Sequence, residues 1–183
     1  MITISIIGTA GRSCIDKSVN YQNMINVAYK IINMIIESNN TTMDNILVCS
    51  GGAALSDHVA ISLYLQDKIK HLNLYLPCQF NIINKKFIGS ISNSANKYHH
   101  NFSQYFNIES LNEISMAVNK GANINEYNGF FARNDQLALS NYIIAFSPNK
   151  DNTILINPEN PLLTSGTKYT WNKAKGNKIY VPI

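Results

Sequence analysis

Short runs of β-branched and aliphatic residues alternate along the chain with stretches whose apolar residues recur every three or four positions. The first pattern is typical of buried strands and the second of helices with one buried face. The runs that predict strands span 2–8, 45–49, 72–76, 142–146 and 178–181. The stretches that predict helices span 19–38, 53–68, 108–119, 133–140 and 168–175. Because strands joined by helices favour parallel pairing, the pattern predicts an α/β fold, with a mainly parallel sheet of about five strands and helices on both faces.

The length of the chain is typical of one domain. Its 183 residues fall within the usual range of about 100 to 200 residues for a domain. Neither an internal repeat nor a low-complexity linker divides the sequence. We therefore predict a single domain over residues 1–183, with a less regular excursion near 77–107, where the hydrophobic pattern is hard to interpret.

The charge of the chain is modest. Lysine and arginine together number 15 and aspartate and glutamate 11, which gives a net charge of +4. This balance disfavours a nucleic-acid partner. No apolar run approaches the roughly 18 residues of a membrane-spanning helix, and the first strand lacks the basic leader of a signal peptide. We therefore expect a cytoplasmic protein with no membrane partner.

The cysteines do not suggest a metal site. Cys14, Cys49 and Cys78 are odd in number and show neither CxxC spacing nor a histidine partner. Free thiols are the simplest interpretation. We predict no metal and no resident cofactor.

The loops after the first two predicted strands are rich in small residues. Residues 8–13 have the sequence GTAGRS, and residues 50–53 have the sequence SGGA. Glycine lets backbone N–H groups approach a phosphate, and the start of the following helix adds donors and a positive dipole end. Since parallel strands end at the same edge of a sheet, the two loops should converge there on a phosphate-bearing ligand. Neither loop is a Walker motif, which disfavours a P-loop nucleoside triphosphatase.

Further motifs follow in a fixed order. Residues 50–60 fit the pattern Ser/Thr-Gly-Gly-Ala-x-x-x-Asp-x-x-Ala, residues 129–135 (GFFARND) place an arginine at a helix start, and residues 165–171 (SGTKYTW) form another glycine motif. Together with residues 8–13, these motifs resemble the superfamily that joins DNA-processing protein A, the Lonely Guy phosphoribohydrolases and the nucleotide-sensing SLOG domains. The resemblance implies a Rossmann-like three-layer fold and a SLOG-type nucleotide-binding domain.

The glycine motifs and the helix start are the expected contacts of the ligand. The chain has two arginines, Arg12 and Arg133, and both fall in these motifs, where the rigid fork of donors suits a phosphate. Asp57 is expected either to accept a ribose hydroxyl or to cap the following helix. The residues that we predict to bind the ligand are Gly8, Thr9, Ala10, Gly11, Arg12, Ser13, Ser50, Gly51, Gly52, Ala53, Asp57, Arg133, Asn134, Gly166 and Thr167.

The resemblance transfers less well to catalysis. Lonely Guy enzymes cleave the N-glycosidic bond of nucleoside monophosphates with an arginine and with the glutamate of the pattern G-G-x-G-T-x-x-E. Thr170 occupies the position of that glutamate here, and threonine neither stabilises oxocarbenium-like charge nor activates water well. For an enzyme, the catalytic candidates are Arg133, Glu126 and Asp135, although such carboxylates are more often surface groups or helix caps. Binding without turnover therefore competes with hydrolysis.

Several other side chains have two interpretations. His99 and His100 would either donate to a phosphate or, more commonly for adjacent histidines in a loop, be solvated. His58 is either a ligand contact or an exposed helical residue. Trp171 and Tyr169 would stack on a base, whereas a lone tryptophan in an amphipathic helix is usually part of the core.

The function that we expect is binding of a phosphorylated nucleoside or an NAD-derived nucleotide at the carboxyl ends of the sheet, by a sensor or a sequestering protein. One alternative is a nucleotide N-glycosidase, or phosphoribohydrolase, that releases the base from a nucleoside monophosphate. A second alternative is a DNA-binding relative of DNA-processing protein A. Because dimers are common in this superfamily, we also expect a homo-oligomer with pockets near the interface.

Overall fold

The computed structural model of the protein describes residues 1–10, 19–147, 153–159, 161–163 and 165–183. The strands in this part of the chain are β1 (Ile2–Gly8), β2 (Ile46–Ser50), β3 (Leu72–Leu76), β4 (Phe80–Asn81), β5 (Lys86–Phe87), β6 (Asn123–Glu126), β7 (Tyr142–Ser147), β8 (Leu155–Ile156) and β9 (Asn177–Pro182). The α-helices are α1 (Tyr21–Ser38), α2 (His58–Leu65), α3 (Ser92–Phe106), α4 (Ser110–Lys120), α5 (Phe130–Leu137) and α6 (Ser165–Lys173). None of these helices has both the length and the apolar character needed to cross a membrane.

Seven of the described strands form one sheet, in the order β6-β3-β2-β1-β7-β9-β8. Neighbouring strands pair in parallel, apart from β8, which is antiparallel to β9. The predicted α/β class and mainly parallel sheet are therefore confirmed. From β1 the chain builds outward through β2, β3 and β6, and then returns to the other side of β1 with β7 and β9. The strand order thus reverses between β1 and β7, which is where open α/β sheets usually bind ligands.

The central strands are buried on both faces. In β1, Ile4 and Ile6 join an apolar cluster that includes residues of α1, α2 and α4. Ile7 belongs to a second cluster, with Leu137 of α5 and Trp171 of α6. Because successive side chains of a strand point to opposite faces, the two clusters lie on opposite sides of the sheet. This fits the sequence of β1, which is rich in isoleucine and in which even the polar Ser5 is fully buried.

The largest differences in helix bounds fall next to the glycine motifs. Helix α2 begins at His58 rather than at residue 53, because residues 54–57 form a bend and turn in which Leu55 has a φ of +61°. That value is incompatible with a right-handed helix. Helices α5 and α6 begin at Phe130 and Ser165, each three residues before the predicted start.

The sequence pattern misses two strands of the sheet, which has seven described strands rather than about five. Both are edge strands. The residues of β6 are Asn-Ile-Asn-Glu and largely exposed, and β8 has only two residues, so neither produces an apolar run. The excursion near 77–107 contains the hairpin of β4 and β5, followed by the 15-residue helix α3.

The fold predicts a strong contrast between two identical substitutions. Ile6 is fully buried in the central strand, whereas Ile83 is 89% exposed between β4 and β5. Ile6→Ala should lower the free energy of unfolding by about 2 to 5 kcal/mol, because it removes buried atoms and leaves a cavity. Ile83→Ala should change it by less than about 0.5 kcal/mol. Urea unfolding of both variants measures the difference, and equal midpoints would contradict the burial of β1.

Candidate functional site

The loops that follow β1 and β2 meet at the carboxyl end of the sheet. The backbone N–H and the hydroxyl of Ser56 both donate to the carbonyl oxygen of Thr9, at 3.3 and 2.9 Å. The N–H of Thr9 donates in turn to the carbonyl of Phe146 in β7, at 3.3 Å. Gly8 lies so close to Ser56 and Phe146 that a Cβ would overlap both. The first loop, which continues to Ala10, and the second loop are therefore joined beside β7, where the strand order reverses.

A buried ion pair lies beside Gly51, the residue that directly follows β2. Nη1 of Arg133, on α5, donates to Oδ2 of Asp57 at 2.8 Å, and the two side chains are only 9% and 5% exposed. The guanidinium lies against Gly51, where a Cβ would overlap Nη1, and its central carbon is 5.9 Å from the ring centre of Phe130. Gly51 is thus required by the close approach of Arg133. Asp57 directly precedes α2, which packs in the first apolar cluster, and Arg133 is on α5, which packs in the second. The ion pair therefore connects the two faces of the sheet at its carboxyl end.

The environment of Asp57 differs from the capping interpretation. Burial raises the pKa of Asp57, while Arg133 and then the backbone N–H groups of Ala53 and Gly51 act in the opposite direction. Gly51 lies beside this carboxylate, since a Cβ on Gly51 would stand 2.5 Å from Oδ2 of Asp57. Asp57 makes no capping hydrogen bond to α2, so the capping interpretation is wrong.

Ser50 fixes the second glycine loop from the end of β2. Its hydroxyl donates to the backbone carbonyl of Asp57 at 2.8 Å and accepts the N–H of Gly52 at 3.1 Å. Ser50 is fully buried. The loop from Ser50 to Asp57 is therefore a rigid scaffold whose polar groups bind one another.

His99 lies in the interior, so the interpretation of a solvated loop residue is wrong for it. It belongs to α3, its Nε2 is 2.9 Å from the carbonyl oxygen of Gly52, and its Nδ1 is 3.0 Å from Oγ of Ser110. Burial lowers the pKa of His99 to about 3, and the neighbouring His58 acts in the same direction. His100, one residue further along α3, is exposed.

His58, the first residue of α2, is also fully buried. Its Nε2 is 2.7 Å from Oε2 of Glu113 on α4, and its ring meets that of Phe102 edge-on, with the ring centres 5.3 Å apart. Glu113, Ser110 and Ser56 were not predicted as partners in this region. No local pattern marks them, since each acts on a residue distant in the sequence.

The glycine motif of α6 lies close to α5. The side-chain amide of Asn134 and the hydroxyl of Thr170 both approach the carbonyl oxygen of Gly166, at 3.4 and 3.3 Å. Thr167 is buried in the first turn of the helix. The carbonyl of Leu162, shortly before α6, accepts the hydroxyl of Ser147 at the end of β7 at 2.7 Å, so the N-terminus of α6 lies at the carboxyl end of the sheet. The helix-start motif of residues 129–135 and the glycine motif of residues 165–171 are thus adjacent.

Glu126 lies at the edge of the sheet. It ends β6, which is separated from β1 by β3 and β2. Oε1 of Glu126 accepts the backbone N–H of Phe80 at 2.7 Å. This carboxylate therefore secures the start of the hairpin in the excursion.

Asp135 is directed towards α6. Its Oδ1 is 2.7 Å from Nζ of Lys173 and accepts the hydroxyl of Tyr169 at 2.7 Å. Hydrogen bonds from Lys173 and Tyr169 hold the pKa of Asp135 below its ordinary value. Trp171, on the same helix, is 2% exposed, which confirms the interpretation that it belongs to the core.

Three predicted ligand residues, Gly11, Arg12 and Ser13, lie outside the described residues, as does Cys14. The other two cysteines are buried free thiols, as predicted. Burial raises the pKa of the Cys49 thiol to about 11, which makes it a weak nucleophile.

No family model matches the chain, and no solved structure matches it. The sequence is 32% identical over 180 residues to a protein of Acanthamoeba polyphaga mimivirus that is described as uncharacterized. The similarity covers 96% of this chain and 92% of the viral protein. The chain therefore belongs to the family of that mimivirus protein. The similarity therefore spans nearly the whole chain rather than one segment.

The packing of Arg133 on Gly51 predicts a non-additive pair of substitutions. Gly51→Ala should lower the free energy of unfolding by about 3 kcal/mol, because the new methyl group displaces the guanidinium from a buried ion pair. Arg133→Ala should lower the free energy of unfolding by a similar amount. In the double variant the decrease should be clearly smaller than the sum of the two single decreases, since both changes break the same ion pair. Denaturant unfolding of the three variants measures this coupling, and additive losses would show that Arg133 does not depend on Gly51.

Stability should also depend on pH through His99. In the unfolded chain a histidine takes up a proton near pH 6.5, whereas folded His99 stays neutral down to about pH 3. Between these values the unfolded state binds more protons, so folding loses up to about 1.4 kcal/mol for each unit by which the pH falls. Comparing acid unfolding of the wild type with His99→Gln isolates this term, because glutamine does not titrate. The variant should show a shallower dependence, and identical slopes would contradict a neutral buried His99.

Proposed function

We propose that the chain binds a phosphorylated nucleoside or an NAD-derived nucleotide at the carboxyl end of the sheet, as a sensor or a sequestering protein. The main support is the junction of Ser56 with Thr9, at 2.9 Å from the Ser56 hydroxyl. This contact brings the two glycine loops together beside β7, at the reversal of strand order. A crevice at such a point is the usual ligand site of an open α/β sheet.

The phosphate is assigned to the start of α6 and to the first glycine loop. The second loop is a poorer candidate, because the N–H groups of Gly51 and Ala53 face the carboxylate of Asp57. The first turn of α6 has exposed Ser165 and half-buried Gly166. The N–H groups of a first helical turn have no partner within the helix, and the dipole end is positive, so this turn favours an anion.

Arg133 then has a different role from the one that the sequence suggests. Its Nη1 binds Asp57, and the residue is 7% exposed. We assign it to positioning the second glycine loop rather than to gripping the phosphate directly. This role still depends on arginine, because the planar guanidinium fills the space above Gly51 while it donates to Asp57.

We also propose that the chain is a SLOG-type member of the superfamily named above, with a Rossmann-like three-layer arrangement. Two apolar clusters on opposite faces of the sheet support this arrangement. The contact of Gly51 with Arg133 supports the resemblance, since it gives a physical reason for the double glycine and the arginine to occur in the same sequence. A side chain at position 51 would displace the guanidinium of Arg133.

Binding without turnover is favoured over hydrolysis. Thr170, which replaces the glutamate of the Lonely Guy pattern, is 1% exposed and directs its hydroxyl to Gly166. Glu126 and Asp135 each hold another part of the fold. A carboxylate that already binds a backbone N–H or a lysine is less available to activate water. The N-glycosidase remains the alternative function, and the experiment below distinguishes it.

Calorimetric titration tests the proposal. We expect the wild-type protein to bind at least one ligand among nucleoside monophosphates, cyclic nucleotides, NAD and ADP-ribose, and to bind the matching unphosphorylated nucleoside at least about tenfold more weakly. Ser165→Glu should weaken binding by about tenfold or more, because it places a carboxylate where the phosphate binds. The same change favours the helix dipole, so the fold should be retained. Asn172→Glu, with the same charge change in the last turn of α6, is the control and should leave binding unchanged.

The recovered ligand decides between binder and enzyme. Chromatography of the ligand after denaturation of the protein should return it unchanged and in stoichiometric amount. Multiple turnover to free base and ribose phosphate would establish the N-glycosidase instead. Absence of binding to every ligand tested, or equal weakening by the two glutamate variants, would refute the proposed site.

A further inference from the structure

A buried chain of hydrogen bonds connects the excursion to the second glycine loop. The hydroxyls of Ser103 and Ser110 are 2.9 Å apart, Oγ of Ser110 is 3.0 Å from Nδ1 of His99, and Nε2 of His99 is 2.9 Å from the carbonyl oxygen of Gly52. His99 is 1% exposed and Ser110 is fully buried. Water therefore does not compete for these bonds.

The donors in this chain follow from the chemistry of each group. A carbonyl oxygen only accepts, so Nε2 of His99 carries the proton that binds Gly52. The neutral ring leaves Nδ1 as an acceptor for the hydroxyl of Ser110, whose oxygen also lies 3.3 Å from the backbone carbonyl oxygen of His99. The oxygen of Ser103 accepts the backbone N–H of Ser110 at 3.2 Å. The carbonyl of Gly52 thus fixes the Nε2–H tautomer of His99.

The bond to Gly52 also orients the next N–H group. In a trans peptide the C=O and the following N–H point in opposite directions. With the carbonyl of Gly52 held by His99, the N–H of Ala53 points away from His99, and the preceding Gly51 lies against Asp57 and Arg133. Gly52 has a φ of +62°, a conformation that glycine adopts without strain.

We propose that His99 is a positioning residue of the glycine loop: by holding the carbonyl of Gly52 it fixes the neighbouring Gly51, against which Asp57 and Arg133 pack, and thereby keeps Arg133 in its ion pair. The ring of His99 is held in turn by Phe87 and His58, whose ring centres are 5.6 and 5.9 Å away. The effect of His99 on the ion pair is independent of any ligand. Its effect on affinity rests on the proposed function.

This role gives the excursion a place in the site. Phe87 belongs to β5 and His99 to α3, so both lie in the segment that the four motifs leave out. A movement of α3 relative to α2 would break the hydrogen bond between His99 and the carbonyl of Gly52. The peptide between Gly52 and Ala53 would then be able to rotate. The excursion therefore controls the geometry of the loop through one hydrogen bond.

Two variants of His99 separate this role from a merely structural one. The amide nitrogen of glutamine reaches about as far as Nε2, and that of asparagine about as far as Nδ1. His99→Gln should keep the bond to Gly52, whereas His99→Asn should lose it and still reach Ser110. Both changes reduce the ring packing, so a purely structural role predicts that the asparagine and glutamine variants behave alike.

The readout is hydrogen exchange at Nε of Arg133, which lies buried. It is resolved in a nitrogen NMR spectrum because the sequence has only one other arginine, Arg12. Exchange should stay within about threefold of wild type in His99→Gln and become at least about tenfold faster in His99→Asn, the scale of one lost hydrogen bond. Nucleotide affinity should stay close to that of the wild type in His99→Gln and fall in His99→Asn. Equal exchange in the two variants would overturn the proposal.

The wild-type protein supplies a test that does not depend on a variant folding. A long-range proton–nitrogen correlation should show His99 protonated at Nε2, with a scalar coupling across the hydrogen bond to the carbonyl carbon of Gly52. Protonation at Nδ1, or absence of that coupling, would overturn the proposal. If no nucleotide binds, the proposed function fails, while the exchange and tautomer results still decide the role of His99.

Discussion

The ion pair between Arg133 and Asp57 is the interaction on which the carboxyl end of the sheet depends. Removing a guanidinium and a carboxylate from water is costly, and the cost is offset only when both groups are well paired. Here the pairing requires a helix from each face of the sheet and the absence of a side chain at Gly51. The arginine, the aspartate and the first glycine of the loop therefore form one unit.

This unit changes how the glycine loops are understood. A double glycine after a strand suggests a phosphate cradle, yet in this protein the carboxylate of Asp57 and the guanidinium of Arg133 lie against Gly51. Hydrogen bonds of Ser50 with Gly52 and with the carbonyl of Asp57 hold the loop. A loop that is held in this way reduces the ordering cost of association. The proposed function therefore assigns the anion of a ligand to the start of α6 and to the loop after β1.

The polar interior continues beyond the ion pair. His99 with Ser110 and His58 with Glu113 link α2, α3 and α4 behind the glycine loop. Such contacts contribute less net stability than apolar packing, but they are geometrically demanding, because a misplaced partner leaves a buried polar group unsatisfied. They therefore favour one arrangement of the excursion against the loop. A sensor or a sequestering protein needs this kind of defined connection between its ligand site and another surface.

The sequence by itself determined the fold class and the bounds of the central strands. Residues 2–8 and 72–76 were predicted to the residue, because each is a short run rich in isoleucine or leucine that ends at a glycine or before a proline. The edge strand β6 was missed, since an edge needs few apolar residues. The motifs also indicated that Asp57 and Arg133 lie at one end of the sheet.

The tertiary structure decided what those residues bind. The charge of Arg133 suits a ligand phosphate as well as it suits Asp57, and only the packing of α5 over Gly51 selects the aspartate. In the same way, a pair of adjacent histidines has no local feature that tells a solvated ring from a buried one. His99 is buried because α3 packs on α4 and brings Ser110 and Gly52 to its two ring nitrogens. These partners are 11 and 47 residues away from His99 in the chain and leave no periodic pattern, so only the folded arrangement reveals them.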